Sequence, residues 1–221
     1  MITSLSLLLI FLFFNRQAVL STLKLEKKSL RIVIDPGHGG IDPGKVGLHN
    51  TLEKDINLSI ALHLKKFLEA DDRIVFLTRT EDVGLHEQNA SNKKMSDLNN
   101  RIQLIINEKA DLMVSIHQNA YVSEKPRGAQ VFYHGKDKNA ELLAKEIQAA
   151  LTNFDPENKR EAKTNSTYYL FKNSPVPTVI VECGFLSNYN EAALLADPYY
   201  QEKVAFSIAM GISSYCNQYA E

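Results

Sequence analysis

Apolar positions fall in short blocks along this chain, and beyond the polar stretch around Lys27 and Lys28 the blocks switch between strand and helix periods. Arg31 to Asp35 is a β-branched run that stops at Pro36, and the glycine-rich stretch from Pro36 to Gly47 reads as loop. A helical pattern begins near Glu53, with Ile56, Ile60, Leu64 and Phe67 on one face; Asn50 stands at capping-box spacing before Glu53. Arg73 to Thr78 is a second buried strand. Thr80 to Ser96 is polar and aperiodic, a length that usually marks a functional loop. Ser96 or Asp97 caps a helix bearing Leu98, Ile102, Ile105 and Ile106, and Asp111 to Ile116 is a third strand running into His117. Ala129 to Tyr133 reads as a fourth strand, Asn139 to Leu151 as a helix and Asp155 to Ser166 as loop. Thr167 to Phe171 and Thr178 to Glu182 read as strands, and Pro198 opens a helix with Val204, Ile208 and Ile212 inward.

Strands separated by helices predict an α/β fold, a single domain whose mostly parallel sheet is flanked by helices on both faces. The pattern carries no strand order. At 221 residues there is room for one sizeable domain, expected over 26–221. Leu5 to Phe14 is apolar apart from Ser6, the length of a secretory h-region and too short for a confident span. Residues 1–25 are therefore read as signal peptide or membrane anchor, and the rest as exported. The formal net charge of -1 implies no strongly basic face, and no basic clustering or aromatic stacking pattern points to nucleic acid as a partner. Cys183 and Cys216 have no metal-binding spacing, so neither a zinc–thiolate site nor a disulfide framework is expected.

In open α/β sheets, sites gather at the carboxyl ends of the strands. His38 follows the first strand, Glu53 opens the next helix, His117 closes a strand and Glu182 closes another. Two imidazoles and a carboxylate form a common catalytic zinc set, and a further carboxylate can move the protons. Each residue also has a local reading. Glu53 can serve as a capping carboxylate, His117 can bond Asn119, and Glu182 can pair at a strand end. His49 is the best substitute ligand, and His63 reads as a surface residue. Cys183 should face away from Glu182, because neighbouring strand residues point to opposite faces.

At these residues the sequence resembles the zinc-dependent N-acetylmuramoyl-L-alanine amidases (amidase type 3) of bacterial cell walls. The motifs are IVIDPGHGGIDPG around His38, LEKDINLSIALHLKKFL with Glu53, FLTRTED, ADLMVSIHQNA around His117 and VPTVIVECGFLSNYNEAALL with Glu182. The resemblance spans roughly Leu30 to Tyr215, with the motifs in family order. It implies a twisted, mostly parallel sheet, one Zn2+ held by His38, Glu53 and His117, and Glu182 as catalytic acid/base. It also implies peptidoglycan as substrate, cut at the amide between N-acetylmuramic acid and L-alanine. SIHQNA followed by GAQVFYH, and NSTYYLFKNSPVPTVIVECGFLSN, are most similar to the germination-specific spore cortex amidases. That subgroup implies cortex maturation through muramic-δ-lactam formation, in the forespore envelope. No wall-binding repeat follows the matched region, so targeting is expected to come from the N-terminal segment or from a membrane or lipoprotein helper. Asn119, Arg127 and the Thr80 to Ser96 loop are candidates for glycan contact. A zinc peptidase acting on stem peptides and a non-catalytic wall-binding homologue are the alternatives. The second should have lost one of the four residues, and all are present.

Overall fold

A computed structural model describes residues 29–47 and 50–219 of the chain. The expected leader, residues 1–25, and His49 lie outside the described residues. In chain order the elements are β1 (Arg31–Pro36), α1 (Glu53–Ala70), β2 (Ile74–Leu77), α2 (Lys93–Asn107), β3 (Leu112–Asn119), β4 (Gln130–Tyr133), α3 (Lys138–Phe154), β5 (Lys163–Thr164), α4 (Tyr169–Asn173), β6 (Thr178–Phe185), α5 (Tyr189–Leu195) and α6 (Pro198–Tyr219). The six strands form one sheet in the order β2-β1-β3-β6-β4-β5. β1 pairs in parallel with β2 and β3, and β3 with β6, while β4 runs antiparallel to β6.

Both faces of the central strands are covered, which explains their near-continuous apolar runs. On one face Ile32, Ile34, Leu112, Val114, Val179 and Val181 pack in a single core with Ile60 and Leu64 of α1, Leu143 and Ile147 of α3 and Ile208 and Ile212 of α6. On the other, Val33 and Met113 meet Ile102 and Ile105 of α2 and Leu170 of α4. Leu64 is wholly buried in the larger core. Leu64→Ala should therefore cost about 2–5 kcal/mol, read as a lower urea midpoint at unchanged slope.

The sheet and its helical cover agree with the pattern in the sequence, and four details do not. Thr167 to Phe171 is not a strand; Tyr169–Asn173 is helical, and the consecutive Leu170 and Phe171 are both buried. The aromatics there meet edge to face, Phe132 against Tyr168 and Tyr168 against Phe171, so tertiary contact overrides the β propensity of the run. The edge strand β5 instead comes from Lys163–Thr164, two exposed residues within the expected loop. α2 begins at Lys93, a turn before Ser96, because the Asn92 side chain accepts from the Met95 amide at 3.0 Å. Ile106 is 49% exposed, lying at the rim of the buried stripe that Ile102 and Ile105 occupy.

Candidate active site

β1, β3 and β6 lie side by side and parallel, so their carboxyl ends share one edge of the sheet. Side chains two apart on a strand share a face. Asp35, Ser115, His117, Ile180 and Glu182 thus belong to the face that carries Val33 and Met113, and His117 pairs in register with Glu182. Cys183 sits on the opposite face in the larger core, where burial pushes its thiol pKa well above the ordinary value. The expectation that it points away from Glu182 holds.

The loop after β1 brings in His38. Its backbone occupies the left-handed region at φ 63°, unusual for a residue with a side chain. Gly37 before it must lack a Cβ, since one there would come within 2.2 Å of the His117 ring. Gly44, at φ 67°, leaves the room in which the Glu53 carboxylate and the His38 ring meet; a Cβ there would sit 2.6 Å from Glu53 Oε2.

Glu53 is the centre of the arrangement. Its Oε1 lies 3.2 Å from His38 Nε2 and 3.0 Å from His117 Nδ1. The backbone amides of Gln118 and Lys45 donate to its two oxygens at 3.0 and 2.8 Å. The two imidazoles meet edge to face, centroids 4.9 Å apart, and one ligand atom from each of the three residues lies within 4.8 Å of the others. Burial would raise the Glu53 pKa, but hydrogen bonds to His117 and His38 outweigh it and hold the carboxyl far below the usual range. Burial likewise opposes charge on His38, while Glu53 and Asp42 overcome it and raise the imidazole pKa.

The capping box predicted for Asn50 does not form. Leu52 is the N-cap, without a side-chain cap bond, and Asn50 is left-handed at φ 58°. The Glu53 carboxylate is instead drawn into the site by the amides and imidazoles there. Nor does His117 bond Asn119; its Nδ1 faces Glu53.

Glu182 is 9% exposed, and its Oε2 finds no hydrogen-bond partner among the described residues. Burial pushes its pKa up to about 7; His117 pulls against this and Glu53 adds to it. With His38 and His117 it lines a cleft of about 600 Å³ that also touches Ile41, Lys94 and Tyr168. His86 and Lys93 of the long polar loop and the start of α2 border the same cleft. Arg127 pairs with Asp155 and Glu157 instead.

Several polar residues of the site were not anticipated from the sequence. Asp42 accepts or shares a proton with His38 Nδ1 at 2.8 Å, and its spacing four residues on from His38 was the available signal. Asn57 donates to the Gly37 carbonyl at 3.1 Å, one helical turn beyond Glu53. Arg79, two residues past β2, and Arg101 of α2 reach the same loop. Arg79 lies in the FLTRTED motif, which marks the residue without giving it a role, and nothing in the local pattern distinguishes Arg101 from a surface arginine.

Residues 32–214 match the N-acetylmuramoyl-L-alanine amidase family. The chain is 43% identical over 187 residues to the germination-specific N-acetylmuramoyl-L-alanine amidase of Bacillus subtilis (strain 168), covering 83% of this chain and 78% of that one. Among solved structures it is similar to the CwlD amidase from Clostridioides difficile in complex with the GerS lipoprotein, at a TM-score of 0.82 and 42% identity, covering 86% of this chain and 99% of that one. The catalytic domain of CwlV, an amidase from Bacillus (Paenibacillus) polymyxa var. colistinus, matches with a TM-score of 0.75 and 30% identity over 85% and 98% of the two chains. With the match running through β1, β3 and β6 and both helical layers, the chain belongs to the N-acetylmuramoyl-L-alanine amidase family, whose substrate is peptidoglycan.

Proposed function

We propose that the amidase is zinc-dependent, with His38, Glu53 and His117 as metal ligands and Glu182 as the acid/base. The observation that carries this reading is the convergence of two imidazole nitrogens and a carboxylate oxygen within 4.8 Å, beside a buried carboxylate oxygen with no hydrogen-bond partner among the described residues. The donor set suits zinc, whose catalytic sites commonly take three nitrogen or oxygen ligands and leave the fourth position open. Bound by His38, Glu53 and His117, zinc would supply Lewis acidity that polarises the scissile carbonyl and acidifies water. Amide hydrolysis then needs a group to take the water's proton and hand it to the departing nitrogen. Glu182, with its pKa pushed up to about 7, exchanges a proton readily near neutrality, and its position on the same sheet face as His117 supports that role.

The scissile bond is the amide between the lactyl group of N-acetylmuramic acid and L-alanine. Likeness to a germination-specific relative supports a role in spore cortex maturation, with muramic-δ-lactam as the eventual product. The apolar stretch from Leu7 to Phe14 supports residues 1–25 acting as signal or anchor, for extracytoplasmic work at the forespore envelope. Likeness to an amidase solved with a lipoprotein supports a lipoprotein helper for this chain.

Digestion of purified cortex peptidoglycan tests the reaction. The expected products are intact glycan and stem peptides with a free N-terminal L-alanine. Peptides shortened from within would mean a peptidase instead. Elemental analysis of the purified protein should find about one zinc per chain, lost after chelation together with turnover.

A further inference from the structure

A buried charged cluster lies beneath the loop that carries His38. Asp35, Arg79 and Arg101 are 1%, 3% and 2% exposed. Asp35 accepts from Thr78 Oγ1 and Ser115 Oγ, each at 2.6 Å, and pairs with Arg101. Asp97 holds the other side of Arg101 at 2.6 Å from Nε. So aligned, the guanidiniums point at backbone. Arg101 donates to the carbonyls of Pro36 and His38 at 3.1 and 3.0 Å. Arg79 donates to Pro36 and His38 at 3.0 and 2.8 Å, and to Gly37 and Lys54 at 3.1 and 2.7 Å.

Burying two like charges side by side is costly, and apolar groups of similar volume often serve stability as well. The geometry here does something that apolar packing cannot. The donors converge on consecutive carbonyls around His38, whose left-handed backbone needs outside support. Arg79 also reaches Lys54, the residue beside Glu53. A single guanidinium therefore ties together the two chain segments that carry His38 and Glu53.

We propose that Arg79 and Arg101 are positioning residues for the metal centre, fixing the backbone of Pro36 to His38 against that of Lys54 so that His38 and Glu53 stand at coordinating separation before an ion arrives. This rests on the reading of His38, Glu53 and His117 as ligands. Lysine keeps the charge and loses the planar fork, so it cannot hold several carbonyls at once.

The test is equilibrium competition for zinc between metal-free protein and a chromophoric chelator, with circular dichroism and the urea midpoint of the metal-free form measured alongside. Arg79→Lys and Arg101→Lys should each bind zinc about 10- to 100-fold more weakly than wild type while remaining folded. Arg160→Lys is the control: its guanidinium also holds a carbonyl, that of Arg127 at 2.6 Å, outside the cleft. It should bind zinc as wild type does. A role in fold stability alone would lower the urea midpoint and leave zinc affinity in place. Wild type that binds no zinc would refute the metal reading itself. Wild type that binds, with both lysine variants within about twofold of it, would overturn the positioning role and leave the metal centre standing. Should either lysine variant fail to fold, Asp97→Asn loosens Arg101 from the edge of the cluster and is read in the same assay. A loss of several-fold is expected, and unchanged affinity overturns the proposal.

Discussion

Glu182→Ala should retain its zinc and lose turnover by about 10²–10⁴-fold, the range for a positioned acid/base. The residue contacts none of the three candidate ligand atoms by hydrogen bond, so its removal should spare the metal while stopping proton transfer to the leaving nitrogen. A variant keeping most of its rate would end the assignment. The same burial that tunes the carboxyl has a cost in stability. In the metal-free fold its pKa stands at about 7 against an ordinary 4.5. A carboxyl raised on folding contributes its full stability below its unfolded pKa and loses it as pH climbs through the folded value. Above about pH 7 the folded chain carries a buried charge that the unfolded chain solvates, and the difference amounts to about 3 kcal/mol. Glu182→Gln, near in size and unable to ionise, should thus gain about 3 kcal/mol on wild type between about pH 4 and about pH 9. Urea unfolding of both metal-free proteins at the two pH values measures it. A difference independent of pH would show that Glu182 is not strained by its surroundings.

His117→Ala should lose zinc and turnover together, since it deletes an imidazole whose Nδ1 lies 3.0 Å from Glu53. Gly37→Ala should reach nearly the same end while every candidate ligand residue is kept. The new methyl would stand 2.2 Å from His117 Cε1, 2.3 Å from its Nε2 and 2.8 Å from its Cδ2, so the ring must move. A displacement of about 1 Å at a catalytic constellation costs on the order of 10²-fold in rate. Gly135→Ala is the matched control, because its Cβ meets only Thr164, at 3.2 Å, and neither residue lines the cleft. Zinc stoichiometry and cortex digestion should separate the two alanine variants cleanly. If Gly37→Ala bound zinc and turned over like Gly135→Ala, the close packing of Gly37 on His117 would have no part in holding the ligand.

Legibility in the sequence followed the range of the forces involved. The strands β1, β3 and β6 and the helices α1, α3 and α6 were readable because burial on one face or both repeats at a fixed period within a few residues. Alternation along β6 was enough to set Glu182 and Cys183 on opposite faces, as found. Family motifs marked His38, Glu53, His117 and Glu182. Where contacts from distant segments decided the outcome, local pattern misled: the aromatic run at Tyr168 to Phe171 became a helix, and Lys163–Thr164 became an edge strand through backbone pairing alone. Asn50 lost its expected cap because the Glu53 carboxylate is better satisfied by amides from Lys45 and Gln118.

Local pattern was sufficient for the α/β sheet, for the runs that fill its core and for the histidines and glutamates at strand ends or helix starts, since each depends on neighbours close along the chain. Tertiary structure alone decided that β1, β3 and β6 lie adjacent, that Glu53 turns inward between two imidazoles, and that Arg79 and Arg101 grip the loop bearing His38. Those contacts join residues tens of positions apart, and their energies depend on strand order and burial, which no local period encodes.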